Sequence, residues 1–179
     1  MPNLGESHTT LAMPPTNIVR SPEVEPQLSP LSVASLLSRA RILQRAALGG
    51  TTRPLLRGKN LGLLCEAPPD EAQALFRRAA EELGAHVAVM RSSLSAESSP
   101  QEVQHTARML GRLYEAVECQ GLDPVLVQRI AEHAGIPVFE GAAMKAHPAD
   151  RLAELLGDTT PQADNRRFVL QAMLLEAIG

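Results

Sequence analysis

Residues 58–86 read Gly-Lys-Asn-Leu-Gly-Leu-Leu-Cys-Glu-Ala-Pro-Pro-Asp-Glu-Ala-Gln-Ala-Leu-Phe-Arg-Arg-Ala-Ala-Glu-Glu-Leu-Gly-Ala-His. Asn60 to Glu66 is a nearly continuous apolar run of strand length, as expected of a strand covered on both faces. Pro68-Pro69-Asp70-Glu71 forces a sharp turn. Ala74, Leu75, Ala79 and Leu83 then recur at helical spacing, with Asp70 as candidate N-cap and Gly84 as the stop. A buried strand, a turn and an amphipathic helix form the half-unit on which open α/β sheets build ligand sites, so chemistry would sit in the turn.

Upstream, Ser29 is a plausible N-cap with Pro30 at the first helical position. Val33, Leu36, Leu37, Ala40, Leu43 and Ala47 repeat at helical spacing until Gly49-Gly50. Arg39, Arg41 and Arg45 lie largely off that stripe. With Arg53, Arg57 and Lys59 they form a basic run that suits a solvated face or an acidic partner. Residues 1–30 carry Pro2, Pro14, Pro15, Pro22, Pro26 and Pro30 among polar residues without a sustained apolar period, and read as a disordered tail. His8 there lacks neighbours that would make a metal site.

Downstream, His86 to Met90 reads as a second strand, and a Ser-rich loop leads to Ser99-Pro100-Gln101-Glu102, a capping box with proline at the first helical position. That helix runs through Val103, Ala107, Leu110 and Leu113. Glu115 to Cys119 is the third strand. Asp123-Pro124 opens a helix carrying Leu126, Val127, Ile130 and Ala134, which Gly135 ends. Ile136 to Phe139 is the last strand, and His147-Pro148 opens a helix through Leu152, Leu155 and Leu156. Four strands alternating with helices through short connections predict an α/β fold, a single-lobed three-layer αβα domain on a four-stranded parallel sheet. Ligands gather beyond the carboxyl ends of such strands, here Glu66 to Glu71, Cys119 to Gly121 and Glu140 to Asp150.

Composition narrows the function classes. At 179 residues, 44% hydrophobic and 21% charged, the chain supports one globular domain plus a tail. Phe76, Tyr114, Phe139 and Phe168 are its aromatics, which leaves little for stacking nucleobases, and the net charge of −3 argues against gripping a phosphate backbone. Neither nucleic acid nor membrane is an expected partner, since no run approaches the length of a bilayer span. Without a basic-then-apolar leader, the cytoplasm is the expected location. Cys65 and Cys119 fall in strands, where a thiol serves as packing.

Five segments stand in order along the chain, Leu56-x-Gly58-Lys59-x-Leu61, Phe76-x-x-Ala79-Ala80-x-x-Leu83-Gly84-x-His86, Thr106-Ala107-Arg108-x-Leu110-Gly111-Arg112-x-Tyr114, Ile136-Pro137-Val138 and His147-Pro148-x-x-x-Leu152-Ala153-x-Leu155-Leu156. In these the chain resembles the carbamoyl-phosphate-binding domain of the ornithine and aspartate carbamoyltransferases, and the ornithine branch more closely. Gln162-Ala163-Asp164-Asn165-Arg166 and the apolar helix after it are similar to the family's C-terminal helix, which returns from the second domain to pack beside the first helix. The resemblance therefore implies a domain over residues 31–179 in which Leu156 to Pro161 joins two parts of one lobe, with the second, amino-acid-binding domain missing between them. The face formed by Phe168, Val169, Ala172, Met173, Leu175 and Ile178 would then pack on the first helix.

The same resemblance implies what the turn should hold. In the family it reads Ser-Thr-Arg-Thr-Arg, whose hydroxyls, amides and arginine grip the phosphate at a helix N-terminus. Here Pro69, Asp70, Glu71, Ala72 and Gln73 stand there. Proline has no amide hydrogen to give, and Asp70 and Glu71 put carboxylates at the positive end of the helix dipole. Like charges about 4 Å apart repel by roughly 4 kcal/mol at an effective dielectric near 20, which weakens phosphate binding by orders of magnitude. The family's arginine after the third strand falls on Gln120, the asparagine of its Asn-Gly pair on Glu140, and the glutamine of its His-Pro-x-Gln motif on Asp150. His147 and Arg166 are kept. Both would approach the carbamoyl group in the family, and both have structural uses, His147 as a helix cap and Arg166 as a carboxylate's partner.

The expectation is a pseudoenzyme with no cofactor and no catalytic residues. Its lobe would serve as a structural or regulatory subunit in a homotrimer, as the family trimerises through this lobe, or in a heteromer with another enzyme. The alternative is a small-ligand or divalent-cation module in which Glu66, Asp70, Glu71, Glu140, His147 and Asp150 converge on one pocket. A third possibility is residual carbamoyl transfer through His147 and Arg166 with groups borrowed from a partner chain.

Overall fold

The computed structural model describes residues 30–179. The proline-rich tail, the Ser29 cap and His8 lie outside the described residues. In chain order the elements are α1 (Pro30–Leu48), β1 (Asn60–Cys65), α2 (Glu71–Glu82), β2 (His86–Arg91), α3 (Pro100–Leu113), β3 (Ala116–Gln120), α4 (Pro124–Ala134), β4 (Val138–Glu140), α5 (Pro148–Glu154) and α6 (Gln162–Ile178). The strands form one all-parallel sheet in the order β2-β1-β3-β4, so the four-stranded α/β expectation holds.

Three layers follow from the way the strands alternate. Leu61, Leu63 and Cys65 of β1 and Ala116 of β3 pack under α1, α2, α5 and α6, while Leu64, Val117 and Cys119 pack under α3 and α4. Cys65 and Cys119 thus lie on opposite faces of the sheet and remain free thiols. Burial pushes both thiols up, Cys119 to about 12, so neither is a thiolate at neutral pH.

Side-chain caps set several helix starts. Asp70 Oδ1 accepts from Gln73 N at 2.8 Å, and Asp123 Oδ1 accepts from Val125 N at 2.9 Å. Ser99 and Glu102 form the full capping box, with Glu102 Oε2 accepting from Ser99 N at 2.8 Å. At the other end of α4, Gly135 takes φ 68°, a left-handed value that closes the helix.

α6 occupies the middle of its layer against α1, α5 and α2. Asn165, Arg167, Phe168, Val169, Leu170, Gln171, Ala172, Leu174 and Leu175 are all buried, so the helix has no single apolar face. Its polar members are bonded across helices. Gln44 Nε2 of α1 donates to Thr160 Oγ1 at 2.7 Å and to Asn165 Oδ1 at 3.2 Å, and Asn165 Nδ2 donates to Gly157 O at 2.8 Å. The turn between α5 and α6 is thereby fastened to the first helix. On the other flank Arg167 reaches Glu82 of α2 and Asp164.

Some expectations shift. Ala74, Leu113 and Leu155 face solvent; the buried residues of α2 are Gln73, Phe76, Ala79 and Ala80. β3 runs Ala116–Gln120 and β4 begins only at Val138, because Pro137 cannot donate and offers its carbonyl to Val117 N at 3.0 Å. Among the described residues no helix is long and apolar enough to cross a membrane.

Candidate functional site

β1 delivers the chain to the carboxyl edge of the sheet at Cys65, and residues 66–70 cross that edge exposed before α2 begins. Gln73 holds this crossing down. Its side chain is buried, and Nε2 donates back to Pro68 O at 3.1 Å and Ala67 O at 3.4 Å. Asp70 caps the same turn, so its carboxylate already occupies the place where α2 directs a backbone donor and the positive end of its dipole. Glu71 beside it points outward to Lys145, 3.6 Å away, with both side chains three-quarters exposed, a pair worth little in water.

The loop after β4 forms the opposite wall. Gly141 N donates to Cys119 O at 2.8 Å, a turn follows, and His147 closes it by accepting Ala149 N on Nδ1 at 3.1 Å, which caps α5. Burial holds the imidazole below its usual pKa, so the ring is neutral at pH 7 and able to accept that bond. Arg166, the fifth residue of α6, lies under this loop. Its Nε meets Asp150 Oδ1 at 2.5 Å, and a terminal nitrogen donates to Ala143 O at 2.8 Å. The guanidinium is only 12% exposed. The N-terminus of α2 and Arg166, two groups suited to an external anion, therefore already hold a carboxylate of this chain.

Two shallow clefts result. One lies between Asp70, Glu71 and Ala72 on one side and Lys145 and Arg166 on the other. The second lies between the ends of β3 and β4, where Glu140 and His147 face Cys119, Gly121 and Leu122. The six residues expected to converge do not: Asp70, Glu71, Asp150 and His147 each serve a separate partner, and Glu66 lines neither cleft. Among the described residues no three His, Cys, Asp or Glu side chains are placed to hold a metal ion, and Asp70, Glu71 and Asp150 are taken up by a cap and two ion pairs.

Gln120 ends β3 buried, and it turns inward, donating from Nε2 to Glu118 Oε1 at 3.1 Å. Glu118 is the residue sequence reasoning missed. It is fully buried at the centre of the sheet, where Oε1 also accepts from Ala143 N at 3.4 Å and Oε2 has no partner. Burial drives its carboxyl up to about 7, against the opposing pull of the Gln120 bond. A strand covered on both faces was the available signal, since any acid in its interior must be buried.

Residues 25–157 match the family model described as the aspartate/ornithine carbamoyltransferase, carbamoyl-P binding domain. The ornithine carbamoyltransferases of Actinobacillus pleuropneumoniae serotype 5b and of Cutibacterium acnes are each 38% identical to it over 121 residues, 68% of this chain. The chain spans 36% of the length of either relative. Among solved structures, the ornithine carbamoyltransferase of Burkholderia thailandensis aligns with a TM-score of 0.62 at 22% identity, over 72% of this chain and 44% of that one. The enzyme from Pyrococcus furiosus aligns with a TM-score of 0.61 at 23% identity, over 70% and 40%. At these identities the structural likeness speaks for the fold.

Proposed function

Because the chain belongs to the aspartate/ornithine carbamoyltransferase family, through its carbamoyl-phosphate-binding domain, we propose that it is a catalytically inactive member whose lobe is kept for assembly. One observation carries this reading: the α2 N-terminus and Arg166 are each neutralised from within, by Asp70 and Asp150. An incoming acyl phosphate would have to displace a bonded carboxylate and then sit beside it. Gln120, on the position of the family's arginine, is turned into the sheet and offers no charge to the opening. Carbamoyl transfer depends on holding two reactants in register and on stabilising the charge that develops, and neither requirement is served by these groups.

The reading extends to the chain's organisation. Residues 31–179 would form one lobe in which the turn after α5 replaces a second domain, and the bonds from Gln44 and Asn165 across that turn support such a join. A cytoplasmic homotrimer, or a heteromer with a full-length carbamoyltransferase or another enzyme, is the form in which a lobe without its own chemistry would act as structural or regulatory subunit. Size-exclusion chromatography with light scattering tests this. A stable oligomer, or a mixed one with a full-length ornithine carbamoyltransferase, is the expected result; a monomer at every concentration that joins no carbamoyltransferase overturns it.

A further inference from the structure

The 39 residues from Gln27 to Cys65 contain no Asp or Glu but carry Arg39, Arg41, Arg45, Arg53, Arg57 and Lys59, whereas the other 11 of the chain's 17 basic residues share the rest of the sequence with all 20 acidic ones. An acidic protein thus has one strongly basic segment. Among the described residues none of these six cations has a carboxylate partner; Arg41 and Arg45 donate only to backbone carbonyls, of Leu155 and Arg41. The sequence left open whether the run meets a partner or only water.

The structure adds an apolar depression among them. Ile42 on the outer side of α1 is 57% exposed, and Leu55 in the turn before β1 is 54% exposed although its neighbour Leu56 is fully buried and anchored through Leu56 N to Leu83 O at 2.7 Å. Between them lies a groove floored by the buried side chains of Leu43 and Leu175, with Arg39 on its wall. Arg39 and Arg45 stand three residues on either side of Ile42, its neighbours on the helix surface, and Arg53 and Arg57 flank Leu55. An apolar centre inside a charged rim is the anatomy of a protein-binding site. The groove shares no residue with the two clefts at the carboxyl edge of the sheet.

We propose that this groove docks an acidic amphipathic segment of a partner protein, with one or two aliphatic side chains seated between Ile42 and Leu55 and carboxylates on the surrounding arginines. Charge chooses among the possible occupants. A second copy presenting the same face would set six cations against six. A nucleic acid would find an apolar centre without an aromatic ring to stack on. An anionic bilayer would meet Ile42 and Leu55 as the walls of a depression, where membrane binding favours a protruding apolar face. The proposal does not depend on whether the lobe retains catalysis.

Fluorescence anisotropy on the full chain tests it, with a labelled 14-residue peptide carrying Leu at i, i+3 and i+7 and Glu at most other positions. A scrambled peptide of the same composition, a version with Lys for Glu, and phosphatidylserine vesicles serve as comparisons. Saturable binding of the first peptide is expected, weaker at higher salt and weaker by about tenfold or more in Ile42→Ser/Leu55→Ser and in Arg39→Glu/Arg53→Glu. These positions are exposed, so both variants should keep the parent's circular dichroism and melting temperature. Absence of saturable binding, equal binding of the scrambled peptide, or indifference to both variants overturns the proposal. Vesicle binding lost in the same variants, without peptide binding, assigns the face to a membrane instead.

Discussion

Gly111→Ala is expected to be the most damaging glycine-to-alanine substitution among the described residues. A Cβ at this position of α3 would lie 1.9 Å from the carbonyl oxygen of Ala134, the last residue of α4. The obstacle is backbone, so no rotamer change relieves it; the two helices must separate. Ala134 cannot retreat cheaply, because Gly135 turns the chain immediately into Ile136 and the last strand, and Ile130 and Leu110 fill the interface around it. Overpacking of a core commonly costs 1–3 kcal/mol, and a clash with fixed backbone belongs at or above the upper end, about 3 kcal/mol. For a domain of this size that lowers the melting temperature by roughly 10 °C. Thermal unfolding followed by circular dichroism measures it; a shift of only a degree or two would mean that α3 and α4 are not packed as described.

Glu118→Gln is expected to stabilise the protein, and to do so only towards neutral and alkaline pH. The Glu118 carboxyl titrates near 4.5 when unfolded and near 7 when folded, because burial penalises its charged form. A raised carboxyl pKa favours the folded state fully below the unfolded value. That contribution fades as pH rises from about 4.5, and it is gone above about 7, where the folded protein carries a buried charge. The difference is worth on the order of 3 kcal/mol. Glutamine keeps an oxygen for Gln120 and Ala143 and replaces the unpartnered Oε2 with a neutral group. The gain of the variant over the parent should therefore be small at pH 5 and grow to about 2–3 kcal/mol by pH 8 in urea unfolding. A gain that is the same at both pH values, or a loss at pH 8, contradicts this account of Glu118.

Local signals carried much of this fold. Asp70, Ser99 with Glu102, Asp123 and Gly135 are helix punctuation whose chemistry is complete within a few residues, and each is found in that role. Leu113 and Leu155 are exposed at helix ends, Leu113 as the last residue of α3 and Leu155 as the C-cap of α5, where Leu156 beside it takes the buried position. The exposure of β2 was not legible either. His86 to Met90 reads simply as a strand, and only the order β2-β1-β3-β4 makes it an edge, with Val89 49% exposed.

The site divides in the same way. That the first turn carries acids was visible in Asp70 and Glu71; that Asp150 would pair with Arg166 required the third dimension, since only the packing of α5 on α6 brings the two side chains together. The expected convergence of six ionisable residues failed for a related reason. Strand order places their loops along one edge, but each side chain is oriented by its nearest donor, and for Asp70, Glu71 and Asp150 that donor is local to the loop or belongs to a different cation. The basic segment, by contrast, was evident in the sequence, and only its apolar centre needed the fold.

The central claim is that internal carboxylates fill the anion cradle at the start of α2 and on Arg166. Isothermal titration of the purified protein with carbamoyl phosphate tests it most directly. The account predicts no saturable heat above dilution at millimolar ligand; saturable binding by the parent protein would contradict it.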